Sequence, residues 1–567
     1  MSTAPADHGV DRRAFLTRTA ALATASAVGG VVGLPAVASA AGTTRTSAVP
    51  AGRYNPALAV PNAYVKPRPE AVADPTELTI AEAAWLIRAG KLTPEKLVEA
   101  YLARISRYEP TYQAFNLVLA DQAVKAARAM ARKPHRGALH GIPLAIKDNY
   151  YTAEVPTTAS SYLFADFRPP YDATAVTRLV TGGGAIALGK TQMGPLATTR
   201  ATTPSGVVTT VNAWTPTNPA TDPGGSSTGT ATAVAGRLAT SGTGTQTGGS
   251  ITAPSNAQNL TGLKPTMGRV SLHGIIPLSY TRDHPGPLAR DAKDAAIMLT
   301  AMAGEDPADP RSQGLPEVPK LIDAATPTYQ AGKLKLRWKT RIGVLPGFTA
   351  GTSETALARQ AYLAKLAAIT GATIVDVPLP DEWDLLTGSA FNNVRLPERT
   401  EPFLPYLRTD LRGFGVSVTG WLQGALLGGG EFITGQRAKL LLMERVLDQL
   451  FAHCDVVVQT GPVPFDILGL PEIGFPIGFT GAGLPIGTIL GGLPYGEDRL
   501  LSVVAAYQAV TDWHLRRPAD PPAAPATAGR SAAPAGLRLS AEEVARLSAG
   551  WVAVMHADGN GIGGVFR

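Results

Sequence analysis

The sequence predicts an α/β fold with a central mixed β-sheet flanked by helices. Two observations carry this. Short β-branched or aliphatic runs recur between Ile142 and Val458, and helix-period stretches separate them. Gly (60) and Pro (47) together are about 19% of the 567 residues, below the roughly 25–30% of low-complexity chains, so they mark turns between packed elements. A chain of this length buries a large core.

The elements follow in order. Residues 1–40 have the form of a twin-arginine export signal. The pair Arg12-Arg13 precedes Ala14-Phe15-Leu16, a weakly apolar stretch runs from Ala20 to Val37, and Ala38-Ser39-Ala40 is a small-residue cleavage pattern. Gly29, Gly30, Gly33 and Pro35 disfavour a stable spanning helix. The expectation is a secreted protein with no membrane span after cleavage. Residues 41–75 predict an extended arm, 76–518 the main domain, and 519–567 a Pro/Ala-rich linker and tail with a short helix near 541–549.

Inside the main domain, Thr79 caps a helix over 80–89. Thr93-Pro94-Glu95 opens another that runs to Tyr108, with Leu97, Tyr101 and Ile105 on one stripe. A third covers 121–131. Strands are expected at 143–146, 185–188, 342–345, 373–375 and 456–458, with helices near 175–182, 292–303, 355–370 and 434–453.

Composition excludes several functions. The net charge is +7, from 51 Lys+Arg against 44 Asp+Glu, without a basic block, so no nucleic-acid partner is expected. A single Cys, Cys454, excludes an internal disulfide framework and a Cys-cluster metal site. No HExxH pair occurs among the eight His.

Chemistry concentrates between Lys147 and Ser250. Gly224-Gly225-Ser226-Ser227 and Thr247-Gly248-Gly249-Ser250 are loops whose glycines can expose backbone N–H groups to an anion or a developing oxyanion. A hydroxyl nucleophile needs a base, and no His stands nearby in sequence. Lys147 ends the apolar run Pro143-Leu144-Ala145-Ile146. Burial would lower its pKa and make it a base; a surface lysine closing the strand is the commoner case.

Taken together, these segments resemble the amidase signature family. The resemblance rests on Ser226 in Gly-Gly-Ser-Ser, on Ser250 in Gly-Gly-Ser, and on Lys147 after Gly-Ile-Pro and a hydrophobic strand. It also rests on Gly262-Leu263-Lys264-Pro265-Thr266, Gly274-Ile275-Ile276-Pro277, Asp283–Arg290, Gly189-Lys190-Thr191, Gly469-Leu470-Pro471 and Gly483–Gly487. It covers roughly 76–518, and the stretch Ser250–Arg290 looks most like the bacterial peptide amidase branch, which removes C-terminal amides from peptides.

The resemblance implies an amidase-signature fold and a Ser–Ser–Lys triad. Ser250 would be the nucleophile, and Ser226, on a cis peptide, would bridge it to a neutral Lys147. Backbone N–H groups of Thr247, Gly248, Gly249 and Ser250 would form the oxyanion hole. It implies no metal or organic cofactor, and a small-molecule or peptide amide as partner. Four positions depart from the family pattern. Gln246 stands where an acid is common, Thr252 where Arg is common, Thr228-Gly229 where a second glycine pair is expected, and no acid lies near Met193.

Three other readings compete. Gly225-Ser226-Ser227-Thr228-Gly229 matches the G-x-S-x-G elbow of a Ser-His-Asp α/β-hydrolase with Ser227 central, but turn sequence precedes it where that elbow needs a strand. Gly184–Thr191 matches a P-loop in letters, but Ala185-Ile186-Ala187-Leu188 is a buried-strand run. A non-catalytic, amidase-like binding protein is the third. Phe391, Phe403, Tyr406 and Trp421 are expected to line an apolar cleft or to pack as ordinary core.

Overall fold

The computed structural model describes residues 54–522. The expected export signal and the tail helix near 541–549 lie outside them. One 12-stranded sheet organises the molecule, in the order β1-β3-β2-β4-β6-β5-β11-β12-β10-β8-β7, with β9 also pairing β8. Its strands are β1 (Phe115–Val118), β2 (Pro143–Lys147), β3 (Ile186–Thr191), β4 (Ser241–Gln246), β5 (Thr261–Lys264), β6 (His284–Ala289), β7 (Thr328–Gln330), β8 (Lys333–Val344), β9 (Thr370–Asp376), β10 (Val456–Gln459), β11 (Glu472–Phe479) and β12 (Pro485–Gly492). The sheet is mixed: β2 runs parallel to β3 and β4, and β4 pairs β6 antiparallel. This is the predicted α/β architecture.

Residues 54–77 differ from an extended arm. They form short helical turns, Pro56–Ala59, Pro61–Ala63, Pro69–Ala73 and Pro75–Glu77. Each opens on a proline, whose fixed φ suits a first helical position. Helix α1 (Ile80–Arg88) carries a capping box in which Thr79 Oγ1 accepts from Glu82 N and Glu82 Oε2 accepts from Thr79 N. Helix α2 (Pro94–Tyr112) outruns the expected end at Tyr108 and contains Pro110. Helix α3 spans Ala120–Ala131.

Helix α4 (Thr228–Ala235) is buried along its length and packs over β2, β3 and β4. Its approach explains Gly242 of β4, and the neighbouring strand β6 explains Gly244. A Cβ on Gly242 would meet Thr230 at 2.5 Å, and one on Gly244 would meet Leu288 at 2.4 Å. Helix α5 (Thr252–Ala257) follows β4, α6 (Ala292–Met302) follows β6, and α7 (Glu354–Ala367) joins β8 to β9.

Between β9 and β10 the chain builds a helical cap from α8 (Ser389–Thr400), α9 (Val418–Leu426) and α10 (Gly429–Arg445), while α11 (Glu497–Gln508) closes the domain. Phe403 and Trp421 are buried in the cap, their rings 4.9 Å apart and joined by Phe414. Phe403 and Trp421 are therefore core, and of the four aromatics named above Phe391 is the one beside the Gly248 loop.

Candidate active site

β2 and β4 are parallel neighbours in register, Leu144 opposite Ser241 and Ala145 opposite Gly242. Their C-terminal ends therefore meet at one edge, which brings Lys147 beside the loop 247–250. Ser226 arrives on the turn before α4, next to Gly225 through a cis peptide. Ser227 N donates to Ser250 O at 3.3 Å, which fastens the two serine loops together.

Lys147 is completely buried, so the surface-lysine alternative fails. Its Nζ lies 2.9 Å from Ser226 Oγ and 2.8 Å from Thr245 Oγ1, with Thr245 O at 3.4 Å. Among the ion pairs of the described residues none involves Lys147. Burial brings its pKa down to about 7, against a smaller upward pull from Asp283. A neutral amine has two hydrogens and one lone pair. The Thr245 carbonyl only accepts, so a hydroxyl of Ser226 or Thr245 is available to donate to that lone pair.

The loop beyond β4 turns at Gly249, where φ is +95°. Gly248 is exposed and Ser250 half-buried. Thr247 is held at both ends: its Oγ1 donates to Asp283 Oδ1, and its carbonyl accepts from Arg282 Nη2 at 3.0 Å. Asp283 also accepts from Leu278 N (2.7 Å) and Ser279 N (3.0 Å). Burial pushes its carboxyl up, and these donors oppose the shift.

Gln246 ties the loop to the sheet. Its Oε1 accepts from Ile251 N and Thr252 N, both at 2.9 Å, and from Thr252 Oγ1 at 3.2 Å. Its Nε2 donates to Asp466 at 2.9 Å and Glu472 at 3.0 Å. These two carboxylates face Lys264 Nζ at 3.5 and 3.3 Å. Burial, opposed by Lys264 and reinforced by Asp466, raises the Glu472 pKa well above the usual range. His284 Nδ1 donates to Gln246 O at 3.2 Å, and burial drives its pKa well down, so the ring is neutral.

A protein-family model described as Amidase matches residues 96–394. This chain belongs to the amidase signature family. Its relatives include a glutamyl-tRNA(Gln) amidotransferase subunit of Pseudomonas syringae, 33% identical over 497 residues, spanning 78% of this chain and 99% of that protein. The same subunit of Chloroflexus aggregans is 35% identical over 494 residues, spanning 78% of this chain and 98% of that protein. Among solved structures, the native peptide amidase of Stenotrophomonas maltophilia has a TM-score of 0.68 and 29% identity, covering 79% of this chain and 98% of that one.

The amidase frame accounts for the two discarded motifs. Residues 215–225, which precede Ser227, contain no strand, so the elbow reading lacks its scaffold. Lys190 of the P-loop match lies buried inside β3, paired with Asp148 at 3.3 Å. The candidate site also includes groups that the sequence reading left without a role. Thr245 precedes Gln246 on β4, and Asp283 lies in a matched segment, but neither announces its contact with Lys147 or Thr247. Asn149 Nδ2 reaches Thr245 Oγ1 at 3.2 Å. Two residues of separation from Lys147 was the sequence signal for it.

Proposed function

We propose that this protein is an exported amidase that hydrolyses a carboxamide, a peptide C-terminal amide or an acyl amide, through an acyl-Ser250 intermediate. The observation that carries the reading is the fully buried Lys147 amine, 2.9 Å from Ser226 Oγ and without a carboxylate partner. Neutral Lys147 takes the Ser226 proton while Ser226 takes that of Ser250, and Ser250 Oγ attacks the amide carbon. The loop N–H groups of Thr247–Ser250 receive the oxyanion, each donor typically contributing about 10²–10³ in rate. The proton returns through Ser226 to the leaving nitrogen, and water then cleaves the ester.

The similarity to a peptide amidase supports peptide amides as substrates. The amidotransferase subunits among the relatives support amide transfer as a second candidate reaction. The Arg12-Arg13 signal favours the secreted hydrolase over a tRNA-linked role. Secretion is tested by the position of the mature N-terminus, expected after Ala40, in culture medium of a host with a twin-arginine system.

The deciding experiment is ammonia release from peptide amides, acyl amides, aryl anilides and glutamine, with Ser250→Ala and Lys147→Ala alongside. Release from a peptide amide, lost in both variants, is the expected result. Turnover unchanged in Ser250→Ala sinks the assigned nucleophile. Silence with every substrate, and no labelling of Ser250 by a fluorophosphonate, favours the binding-protein reading.

A further inference from the structure

Beside the Thr247–Ser250 loop, the cap and the segment before β6 bring Arg282 and Arg395 onto Phe391, with Lys439 near Arg282 and Arg399 over Trp421. Arg282 is buried; its Nη1 donates to Phe391 O at 3.4 Å, and its guanidinium lies 3.7 Å from the Phe391 ring centre. Arg395 stacks on the same ring at 4.5 Å. Arg399, 5% exposed, lies over Trp421 at 4.9 Å. Lys439 Nζ donates to Thr281 O at 3.3 Å.

Among the described residues none of these four cations makes a direct ion pair. Glu398 acts on Arg282 and Lys439 through space, and its Oε2 accepts from Ser279 Oγ at 2.7 Å and from Thr281 N at 3.0 Å. Asp466 and Asp283 act on Arg282 from the sheet side, but Asp466 is shared with Lys264 and Asp283 with Thr247. Nε of Arg282, Arg395 and Arg399 and Nη2 of Arg399 are buried without a hydrogen-bond acceptor. An unpaired buried guanidinium N–H is costly, and the cations repel one another. Burial, then Arg395, brings Arg399 down to about 10.

This surplus lies one aromatic ring away from the reacting loop. A Cβ on Gly248 would sit 3.4 Å from Phe391 Cζ, and Gly248 itself is exposed. Arg395 is half-buried, and its Nη2 is held by Asn392 Oδ1 at 3.1 Å. It therefore combines a desolvated, positive surrounding with an open side.

We propose that Arg395, backed by Arg282 and Lys439, binds a carboxylate of the substrate, so that the preferred substrates are amides whose acyl part carries a negative charge. This rests on the hydrolase reading and names its substrate class. A guanidinium fork takes a carboxylate through two parallel charge-assisted hydrogen bonds, and low water content strengthens them. The cluster then acts as a specificity pocket across the Phe391 wall from the oxyanion loop.

The test separates binding from turnover. On full-length Ser250→Ala protein, calorimetry compares N-acetyl-aspartate α-amide with N-acetyl-asparagine amide, and the glutamate amide with its glutamine counterpart. The acidic member should bind about tenfold tighter or better. In Ser250→Ala with Arg395→Gln that preference should fall to about threefold or less, with Arg395→Lys between, since it keeps the charge and loses the fork. A far-UV spectrum matching the parent shows that each variant is folded. Equal affinity for the acidic and neutral members, a preference that survives Arg395→Gln, or no binding of any of the four overturns the proposal. Failure of the hydrolase reading shows separately, as absence of ammonia release by the unsubstituted enzyme from all four.

Discussion

Lys147 and Lys190 are both fully buried and stand on adjacent strands, yet they are opposites. In the β2–β3 register Lys190 lies opposite Ile146 and Lys147 opposite Thr191, so the two side chains leave opposite faces of the sheet. Lys190 meets Asp148 at 3.3 Å, Tyr150 O at 2.7 Å and Thr157 Oγ1 at 2.6 Å. Lys147 meets only hydroxyls and a carbonyl. Burial pulls both pKa values down, but Asp148 pulls that of Lys190 back up. The neighbour, not the burial, separates a structural cation from the proposed base. Lys264, with Asp466 and Glu472, falls on the structural side.

The sharpest way to break this comparison is to remove each lysine. Lys147→Ala should lower kcat for amide release by about 10³-fold or more, as loss of a member of a cooperating set does. Ser226→Ala should do the same by cutting the relay. A residual rate within tenfold of wild type for Lys147→Ala would end its assignment as base. Lys190→Met should act on folding instead. It leaves Asp148 buried without its cation, held only by the Asn116 and Thr158 donors, and breaking such a pair removes about 3–5 kcal/mol, read by denaturant titration. Destabilisation below about 1 kcal/mol would show that the two sites differ less than their contacts do.

A smaller effect is expected at Gln246. Gln246→Glu would set a third carboxylate against Asp466 and Glu472 and deprive both of a donor. The loop that holds Ser250 should loosen, with kcat falling about 10–100-fold, the range seen when a supporting contact is lost, and KM changing less. Steady-state kinetics on a peptide amide decides this, and an unchanged kcat would show that the loop does not depend on Gln246.

The smallest effect is in pH. Amide release should rise with pH through about 7 as Lys147 loses its proton. Stability should move the same way. The folded pKa of about 7 lies below the unfolded value near 10.5, so between them the unfolded chain binds more protons and stability rises with pH. From about pH 7 to 9 the gain is about 2 kcal/mol, and Lys147→Met should flatten it, as measured by paired urea titrations.

The α/β class was legible because β2, β3, β9 and β10 are apolar enough to stand out between capped helices. β4 and β6 were not legible as strands. Ser241-Gly-Thr-Gly-Thr-Gln and His284-Pro-Gly-Pro-Leu-Ala carry residues that disfavour strands, and the β4 glycines answer to α4 at Gly242 and to Leu288 of β6 at Gly244. Lys147, Ser226 and Ser250 could be named from short motifs. The environment of Lys147 could not, since its hydroxyl partner Thr245 and the opposing carboxyl of Asp283 are about 100 or more positions distant. Gln246 looked like the loss of a charge. Its carboxylate neighbours come from the far end of the chain, where nothing in the sequence connects them to it.

The helical cap gives one further consequence. Lys147, Ser226 and Ser250 all come from a single stretch of the chain, whereas the cations around Phe391 come largely from α8 and α10, inserted between β9 and β10. The proposed reacting groups and most of the proposed carboxylate site, Arg282 excepted, thus lie in separate stretches of the chain. On that proposal, exchanging residues 380–445 for the corresponding segment of another family member should change substrate preference and leave the assigned reacting groups in place.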